Sequence, residues 1–360
     1  MRKQGNKLDF KGQNIYVGID VHLKSWSVAI LSQDALLKKF SQDPSPEALH
    51  KFLTENYPGA NYYSVYESGF SGFWAHYALT ELGINNIVVN PADVPTIQKE
   101  KLSKSDAVDC SKLARSLRSG ELKGIYIHSK DNFELRSLTR LRKTITLDVA
   151  REKNRIKGLL YLNGINYPEQ FGNSHTHWSR RFIGWLQSLC AESDHLSRAF
   201  GFHIDTLLYH RKSLLEHTRV MRRITRSDRF ISQMELITSV PGIGANIGMT
   251  ILTEIENISR FRDSESLASF IGLIPMCHSS GEKENIGDIT IRKHATLRCY
   301  LVESAWRAIR FDPAMTMAYQ NYRSRGLHPN KAIIKIARKL SNRIFYVLKH
   351  QQKYVPCIVQ

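Results

Sequence analysis

The fold is decided by the stretch Asn14-Ile-Tyr-Val-Gly-Ile-Asp20, which a short turn separates from Trp26-Ser-Val-Ala-Ile-Leu31. Both runs are rich in β-branched and apolar residues, a composition typical of strands. Leu36 to Phe40 predicts a third strand, and the short spacing between the three favours an antiparallel meander. The chain therefore opens with three strands, and the first ends in a carboxylate, Asp20.

Downstream of the meander, helices and strands alternate. Pro46 to Tyr57 and Gly72 to Leu82 predict helices, and each is followed by a short apolar run, Tyr63 to Glu67 and Ile87 to Asn90. Strands that are separated by helices are usually parallel neighbours in one sheet. Three meander strands followed by such crossovers is the order of a ribonuclease-H-like α/β fold, which we expect for residues 1–128.

The remainder of the chain is mainly helical. Phe133 to Leu162 carries apolar residues at three-, four- and seven-residue steps, which predicts one long amphipathic helix. Ile204 to Thr225 predicts a second, and the two could pair as an antiparallel hairpin. We expect a helical coiled-coil region at 129–230 and a mainly α C-terminal domain at 231–360. The core positions predicted for the second helix are Leu208, Leu215 and Met221.

The charge balance points to a polyanionic partner. Lysine and arginine number 51 against 33 acidic residues, which gives a formal net charge of +18. An excess of this size favours nucleic acid binding. We expect no membrane segment, because no run of about eighteen apolar residues occurs. The charged start of the chain lacks an apolar signal core, so we expect a cytoplasmic protein.

Four acidic residues form the first candidate site. Asp20 and Glu67 close two strands that are adjacent in a ribonuclease-H-like sheet, and Asp106 and Asp109 lie three residues apart, on one face of a helix. Four carboxylates in one place repel each other unless cations neutralise them. Oxygen ligands select Mg²⁺ or Mn²⁺, and two such ions can hold the attacking and leaving oxygens of a phosphodiester.

A second candidate site lies in the last third of the chain. Val240-Pro-Gly-Ile-Gly244 resembles a helix-hairpin-helix turn, in which backbone N–H groups face a phosphate. Ser280 precedes a glycine, and its residue type alone favours an ordinary loop serine over a nucleophile. Basic residues near both sites are candidate nucleic acid contacts: Lys24, Lys101, Lys104, Arg292, Lys293 and Arg298.

Taken in order, these motifs resemble those of the DEDD transposases of bacterial insertion sequences, also called bridge recombinases. The matching segments run through nearly the whole chain: Gly-Ile-Asp20 with Lys24, Glu67-Ser-Gly, Lys104-Ser-Asp106-Ala-Val-Asp109, Val-Pro-Gly-Ile-Gly244, Gly-Leu-Ile-Pro275, Ser280-Gly281, Gly287-Asp-Ile-Thr and Leu297-Arg298. One departure is Lys293-His294, where the family usually carries a Gly-Asn-like pair.

The resemblance implies a RuvC-like first domain and a C-terminal transposase domain whose serine attacks DNA. By that analogy the acidic tetrad is Asp20, Glu67, Asp106 and Asp109, assisted by Mg²⁺. The nucleophile is then Ser280, with Ser279 as its nearest competitor. The resemblance also implies donor and target double-stranded DNA, a non-coding guide RNA, and a homo-oligomer of two to four chains in which one subunit's serine meets another's acidic site.

Other classes of function remain open. A Holliday-junction-resolvase-like metal nuclease would need the four carboxylates but no serine. A non-catalytic DNA- or RNA-binding protein would use the carboxylates structurally. An actin-like ATPase shares the ribonuclease-H-like sheet, but the sequence lacks a second Asp-Gly phosphate loop, which disfavours it.

Overall fold

The structure is a computed structural model that describes residues 10–96, 106–189, 194–280 and 283–356. The chain divides into two compact units, Met1–Lys130 and Asp131–Gln360. This division, between Lys130 and Asp131, lies next to the boundary predicted at residue 128. The further boundary at 230 stays a prediction.

The first unit is built on a mixed five-stranded sheet with the order β3-β2-β1-β4-β5. β1 pairs antiparallel with β2, and β2 pairs antiparallel with β3, so the predicted meander is confirmed. β1 and β4, and β4 and β5, are parallel, as the helical crossovers predicted. The strands are β1 (Asn14–Val21), β2 (Trp26–Leu31), β3 (Leu36–Gln42), β4 (Asn61–Glu67) and β5 (Asn85–Val89).

Both faces of β1 are covered: buried apolar side chains fill one, and the helix Asp106–Arg118 packs directly on the other. Side chains alternate along a strand, so Ile15, Val17 and Ile19, all fully buried, share one face. Gly18 lies on the opposite face. The helices of the unit are α1 (Pro46–Asn56), α2 (Trp74–Glu81) and α3 (Asp106–Arg118).

The second unit begins with long helices. α4 (Lys130–Leu162) and α6 (Asp194–Thr225) flank the short helix α5 (Arg180–Ser188). His203 Nδ1 lies 2.5 Å from Glu152 Oε1, and His217 Nε2 lies 2.7 Å from the carbonyl oxygen of Leu138. Residues later in α6 therefore meet residues earlier in α4, so the two helices run antiparallel. Heptad coiled-coil packing of the pair stays a prediction.

Two of the core positions predicted for α6 were wrong. Leu208 and Leu215 are 36% and 63% exposed, whereas Met221 is buried as expected. The helix buries Phe200, Ile204 and Leu207 instead, in a cluster shared with α4 and α5. One residue step rotates a helix by about 100°, so Leu208 and its heptad partner Leu215 point away from the face that Leu207 occupies.

The C-terminal part of the second unit packs its helices around α12, whose apolar residues Ile333, Ile336, Leu340, Ile344 and Val347 enter one core cluster. Within the described ranges, no helix has the length and apolar character needed to cross a membrane. The elements are α7 (Ile231–Thr238), α8 (Ala245–Ile255), α9 (Ser264–Ile271), β6 (Pro275–Ser280), β7 (Lys283–Ile289), α10 (Ala295–Phe311), α11 (Pro313–Ser324) and α12 (Pro329–His350).

Candidate active site

Asp20 and Glu67 lie at the same edge of the sheet in the first unit. β1 and β4 are parallel neighbours, and Ile19 is paired with Tyr66. The next residue of each strand is a carboxylate, so Asp20 and Glu67 follow side by side. Because successive side chains alternate, both lie on the face that Gly18 occupies, which is the face covered by α3. Their side chains are 24% and 33% exposed, respectively.

Gly18 sets the distance between the sheet and α3. A Cβ atom built on Gly18 would lie 2.0 Å from the carbonyl oxygen of Cys110 and 2.5 Å from the backbone nitrogen of Ala114. Only a residue without a side chain lets α3 rest this close to β1. Burial raises the pKa of the Cys110 thiol, and the nearby negative charge of Asp20 raises it further. The close approach at Gly18 therefore holds the start of α3, which carries Asp109, beside Asp20.

Lys112 joins the strand carboxylate to the helix carboxylate. Its Nζ lies 3.6 Å from Glu67 Oε1 and 3.2 Å from Asp109 Oδ1, and the side chain is only 9% exposed. One buried ammonium group thus neutralises part of the charge of two carboxylates. The sequence interpretation missed Lys112. The signal was available, since a residue three positions after Asp109 shares its helix face.

Asp106 is the first residue of α3, one turn before Asp109, and its side chain lies outside the described residues. The structure thus links Glu67 to Asp109 through Lys112 and places Asp20 next to Glu67 at the same strand edge. Among the described side chains, no group of three His, Cys, Asp or Glu residues is arranged to hold a metal ion. The donor set is nevertheless one of carboxylate oxygens, the ligands that Mg²⁺ and Mn²⁺ prefer.

The predicted phosphate contacts of the first unit are placed only in part. Lys24 is exposed in the turn between β1 and β2, directly after the edge that carries Asp20. In the same turn His22 Nε2 lies 3.1 Å from Asp20 Oδ2. Lys101 and Lys104 lie outside the described residues. A basic side chain therefore stands at the carboxylate edge, and its contact with nucleic acid stays a prediction.

In the second unit, Ser280 is the last residue of β6, paired in the hairpin with Lys283 of β7, and Ser279 is paired with Glu284. The side chains of both serines lie outside the described residues. The root of this hairpin is fixed by Arg298, whose Nη1 donates to the carbonyl oxygens of Gly272 (2.9 Å) and Thr290 (2.7 Å). Arg298 was predicted to contact nucleic acid, and its observed contacts hold the backbone on both sides of the hairpin.

A buried carboxylate that the sequence interpretation missed lies behind this root. Glu254 of α8 is fully buried and accepts hydrogen bonds from Arg136 Nε at 2.5 Å and Arg140 Nε at 2.6 Å, both on α4. His294 Nε2 lies 3.1 Å from Glu254 Oε2. Burial by itself raises the pKa of Glu254, but the hydrogen bonds from His294 and Arg140 and the charge of Arg136 outweigh it and hold that pKa well below its usual range.

His294 joins two elements through its ring nitrogens. Its Nδ1 accepts the backbone N–H of Leu297 at 3.2 Å, capping α10, and because that nitrogen accepts, Nε2 is the one that donates to Glu254. Within the Lys293-His294 pair that departs from the family pattern, His294 therefore forms hydrogen bonds that hold the fold together. Arg292 and Lys293 are exposed beside it, and their contact with nucleic acid stays a prediction.

The Val240–Gly244 turn packs inside the second unit. Gly242 has a φ of 91°, and a Cβ atom on it would lie 2.4 Å from the carbonyl oxygen of Ser304 on α10. Val240 and Ile243 are buried on either side. Gly244 caps α8 with open space around it. The glycine pattern therefore serves helix packing at Gly242, and a phosphate contact at Gly244 stays a prediction.

Comparison with known proteins places both candidate sites in transposase regions. The DEDD transposase model of the IS110 group matches residues 17–163, and the model of the transposase IS116/IS110/IS902 family matches residues 234–320. The first range contains Asp20, Glu67, Asp106 and Asp109. The second contains Ser280, Glu254 and Arg298. Together they cover nearly two thirds of the chain.

Individual relatives agree over most of the chain. The protein y4qE of Sinorhizobium fredii is 26% identical over 70% of this chain, which spans 59% of that relative's length. The transposase for insertion sequence element IS1533 of Leptospira borgpetersenii is 22% identical over 82% of this chain and 85% of its own. The transposase for IS1111A of Coxiella burnetii is 22% identical over 76% and 74%. The chain belongs to the IS116/IS110/IS902 family of DEDD transposases of insertion sequences.

Proposed function

We propose that this protein is a DNA recombinase that cleaves insertion-sequence DNA and exchanges its strands through a phosphoserine intermediate on Ser280. The observation that carries the proposal is the convergence of Asp20, Glu67 and Asp109, from two parallel strands and one helix, at one edge of a sheet. The strand order and directions of that sheet support a ribonuclease-H-like, RuvC-like domain. Membership of a transposase family supports DNA as the substrate.

In the proposed reaction, the Ser280 hydroxyl attacks the phosphorus of a phosphodiester. The new O–P bond forms as the bond to the leaving DNA oxygen breaks, the hydroxyl proton passes to a base, and the leaving oxygen is protonated. A hydroxyl of the second DNA strand then attacks the phosphoserine and releases the serine. The energy of the phosphodiester is retained in the serine link, which suits strand exchange better than hydrolysis does.

The four carboxylates Asp20, Glu67, Asp106 and Asp109 would hold Mg²⁺, or Mn²⁺ in its place. When bound, the ion supplies positive charge next to the reacting phosphate. The chain's own contribution is to position the ligands: Gly18 lets α3 approach, and Lys112 spans Glu67 and Asp109.

The proposed partners follow from the family resemblance and from the charge. Donor and target double-stranded DNA, a non-coding guide RNA and a homo-oligomer of two to four chains complete the proposal. The formal net charge of +18 supports polyanionic partners. The exposed Lys24, Arg292 and Lys293 are the proposed backbone contacts that the structure describes, and Lys101 and Lys104 are proposed on sequence alone.

The test is a strand-transfer assay on donor and target DNA in Mg²⁺, with and without RNA from the flank of the element. Wild type, Asp20→Asn, Ser280→Ala and the matched neighbour Ser279→Ala are compared, and denaturing gels detect protein bound covalently to DNA. We expect loss of transfer in Asp20→Asn and Ser280→Ala, and of the two serine variants only Ser280→Ala is expected to lose the adduct.

The other outcomes are equally clear. Full activity of Ser280→Ala with an inactive Asp20→Asn would leave a metal nuclease of the resolvase kind. An adduct that disappears with Ser279 would move the nucleophile by one residue. Transfer that is independent of the RNA would remove the guide from the proposal.

A further inference from the structure

A cleft of about 830 Å³ lies in the second unit, between the root of the β6–β7 hairpin and one face of α12. Its volume falls within the roughly 300–1,000 Å³ typical of sites for small molecules or single groups of a polymer. We name it the α12 cleft, after the helix that forms one wall. The hairpin root contributes residues 273–275 and 287–289, α11 contributes Tyr322, and α12 contributes the rest of the lining.

The two walls of the cleft differ in chemistry. One is apolar and is formed by the hairpin root, Ile334 and the Tyr322 ring. The other carries four cations at three- and four-residue steps along α12: Lys331, Lys335, Arg338 and Lys339. Asp288 is the one acidic residue among the described lining residues, and it pairs with Lys331 at 3.0 Å. A flat apolar group with an attached anion matches both walls.

Two of the four cations have structural partners. Arg338 pairs with Glu265 and donates to the carbonyl oxygen of Leu273 at 3.4 Å, and Lys331 is held by Asp288. Lys335 and Lys339 are exposed, and Lys335 Nζ lies 5.2 Å from the centroid of the Tyr322 ring. The ammonium group lies over one face of the ring, so a base stacks on that face when Lys335 turns to hold the phosphate. An aromatic ring next to a cation is the combination that sites for unpaired nucleotides use.

Asn342 adds a hydrogen-bonding position. Its Oδ1 is buried and has no hydrogen-bond partner within the described part of the chain. An unpaired buried acceptor is unfavourable, and because this oxygen is closed to solvent, a small rotation of the Asn342 side chain is needed to present it to an N–H group of a ligand in the cleft. The exocyclic amino groups of nucleobases are such donors, and they are accessible when the base is not paired.

We propose that the α12 cleft binds one unpaired nucleotide of the DNA strand that is exchanged. The base lies on Tyr322, its amino edge donates to Asn342, and the phosphate is held by Lys335 and Lys339. The choice of DNA rests on the proposed function: β6 runs from Pro275 in the cleft to Ser280, five residue steps or roughly 17 Å of strand. The cleft thus lies near the serine along the same strand.

The experiment uses the full-length protein carrying Ser280→Ala, in EDTA, so that binding is measured without cleavage. Fluorescence anisotropy compares a DNA duplex with one bulged nucleotide, the same duplex fully paired, and the bulged duplex made of RNA. We expect bulged DNA to bind about five-fold or more tightly than paired DNA, since base stacking on an aromatic ring supplies a preference of at least that size. A photoreactive base at the bulge is expected to crosslink to residues of the cleft.

Variants separate the parts of the cleft. Tyr322→Leu and Asn342→Leu are expected to abolish the preference for the bulge while leaving paired-duplex binding unchanged. The double variant Lys335→Gln, Lys339→Gln is expected to weaken bulged DNA binding and flatten its salt dependence. Lys349→Gln, in the last turn of α12 and outside the cleft, is the matched control and is expected to behave as wild type.

Equal affinity of wild type for bulged and paired DNA, or crosslinks only outside the cleft, would overturn the inference. A bulge preference confined to RNA would overturn the assignment to DNA. Failure of the proposed serine mechanism is recognised separately: the Ser280→Ala strand-transfer result can be negative for phosphoserine chemistry while the cleft still selects bulged DNA.

Discussion

The buried carboxylate of Glu254 offers the sharpest test of the second unit. Its two oxygens are bonded to Arg136 and Arg140 of α4 and to His294, which caps α10. Glu254→Gln keeps the shape of the side chain but removes the charge. The two arginines then face a neutral amide, and the amide N–H₂ group lies against the N–H donors that the carboxylate accepted from.

The magnitude follows from burial. Removing one partner of a buried ion pair costs roughly 3–5 kcal/mol because the remaining charge is left uncompensated. Arg136 is 15% exposed, whereas Arg140 is 47% exposed and can turn toward water. We therefore expect the lower end, about 3 kcal/mol. For a unit that spans Asp131–Gln360, 1 kcal/mol corresponds to roughly 2–4 °C in Tm, so the expected fall is about 6–12 °C.

Differential scanning calorimetry of the full-length chain at neutral pH measures this fall. The matched control is Glu235→Gln, which removes a surface pair with Lys353 in which the side chains are 57% and 61% exposed, and it is expected to leave Tm unchanged. Equal shifts in the two variants, or a fall of less than about 2 °C in Glu254→Gln, would refute the reasoning that the network stabilises the unit.

Further predictions concern pH and the carboxylate edge. The folded-state pKa of Glu254 is held below the ordinary 4.5, so its contribution to stability is complete above that pH and is lost as the pH falls below it. The difference in Tm between wild type and Glu254→Gln should therefore shrink from pH 6 to pH 3. A constant difference would contradict this. Gly18→Ala should displace α3, lowering Tm and strand transfer together, whereas Gly184→Ala, with open space around it, should do neither in the same assays. Lys112→Met should tighten Mn²⁺ binding in calorimetric titration, because it removes a positive charge beside Glu67 and Asp109. Unchanged or weaker binding would contradict this prediction. The control is Lys51→Met, which removes one partner of an exposed pair with Glu55.

The elements of the first unit could be predicted from sequence because local signals agree there. The runs at Asn14–Val21 and Trp26–Leu31 are strands on composition and length, and the intervening helices determine which neighbours are parallel. The convergence of Asp20 and Glu67 then follows from strand direction alone. The pairing of Lys112 with Glu67 could not be predicted, because it depends on how closely α3 approaches the sheet at Gly18.

The second unit was less predictable because its helices have more than one apolar face. In α6, Leu207 and Leu208 are equally good core residues by type, and only the position of α4 and α5 decides that Leu207 is buried. Arg136 and Arg140 fit a solvated helix surface equally well in the sequence. Their role depends on Glu254, which is more than a hundred residues away in the chain. Contacts of that separation have no local signature.

The acidic residues differ in burial and in the charges around them, and this difference separates the structural Glu254 from the proposed catalytic carboxylates. Glu254 is fully buried and already bonded to two arginines, so a further cation there would meet repulsion. At the sheet edge, one ammonium group, Lys112, stands between Glu67 and Asp109, and Asp20 lies beside them with a quarter of its side chain exposed. Carboxylates that stay partly open to solvent at a strand edge favour an exchangeable divalent cation. It is therefore the exposure of these acids, more than their presence, that distinguishes the proposed catalytic edge from the buried glutamate.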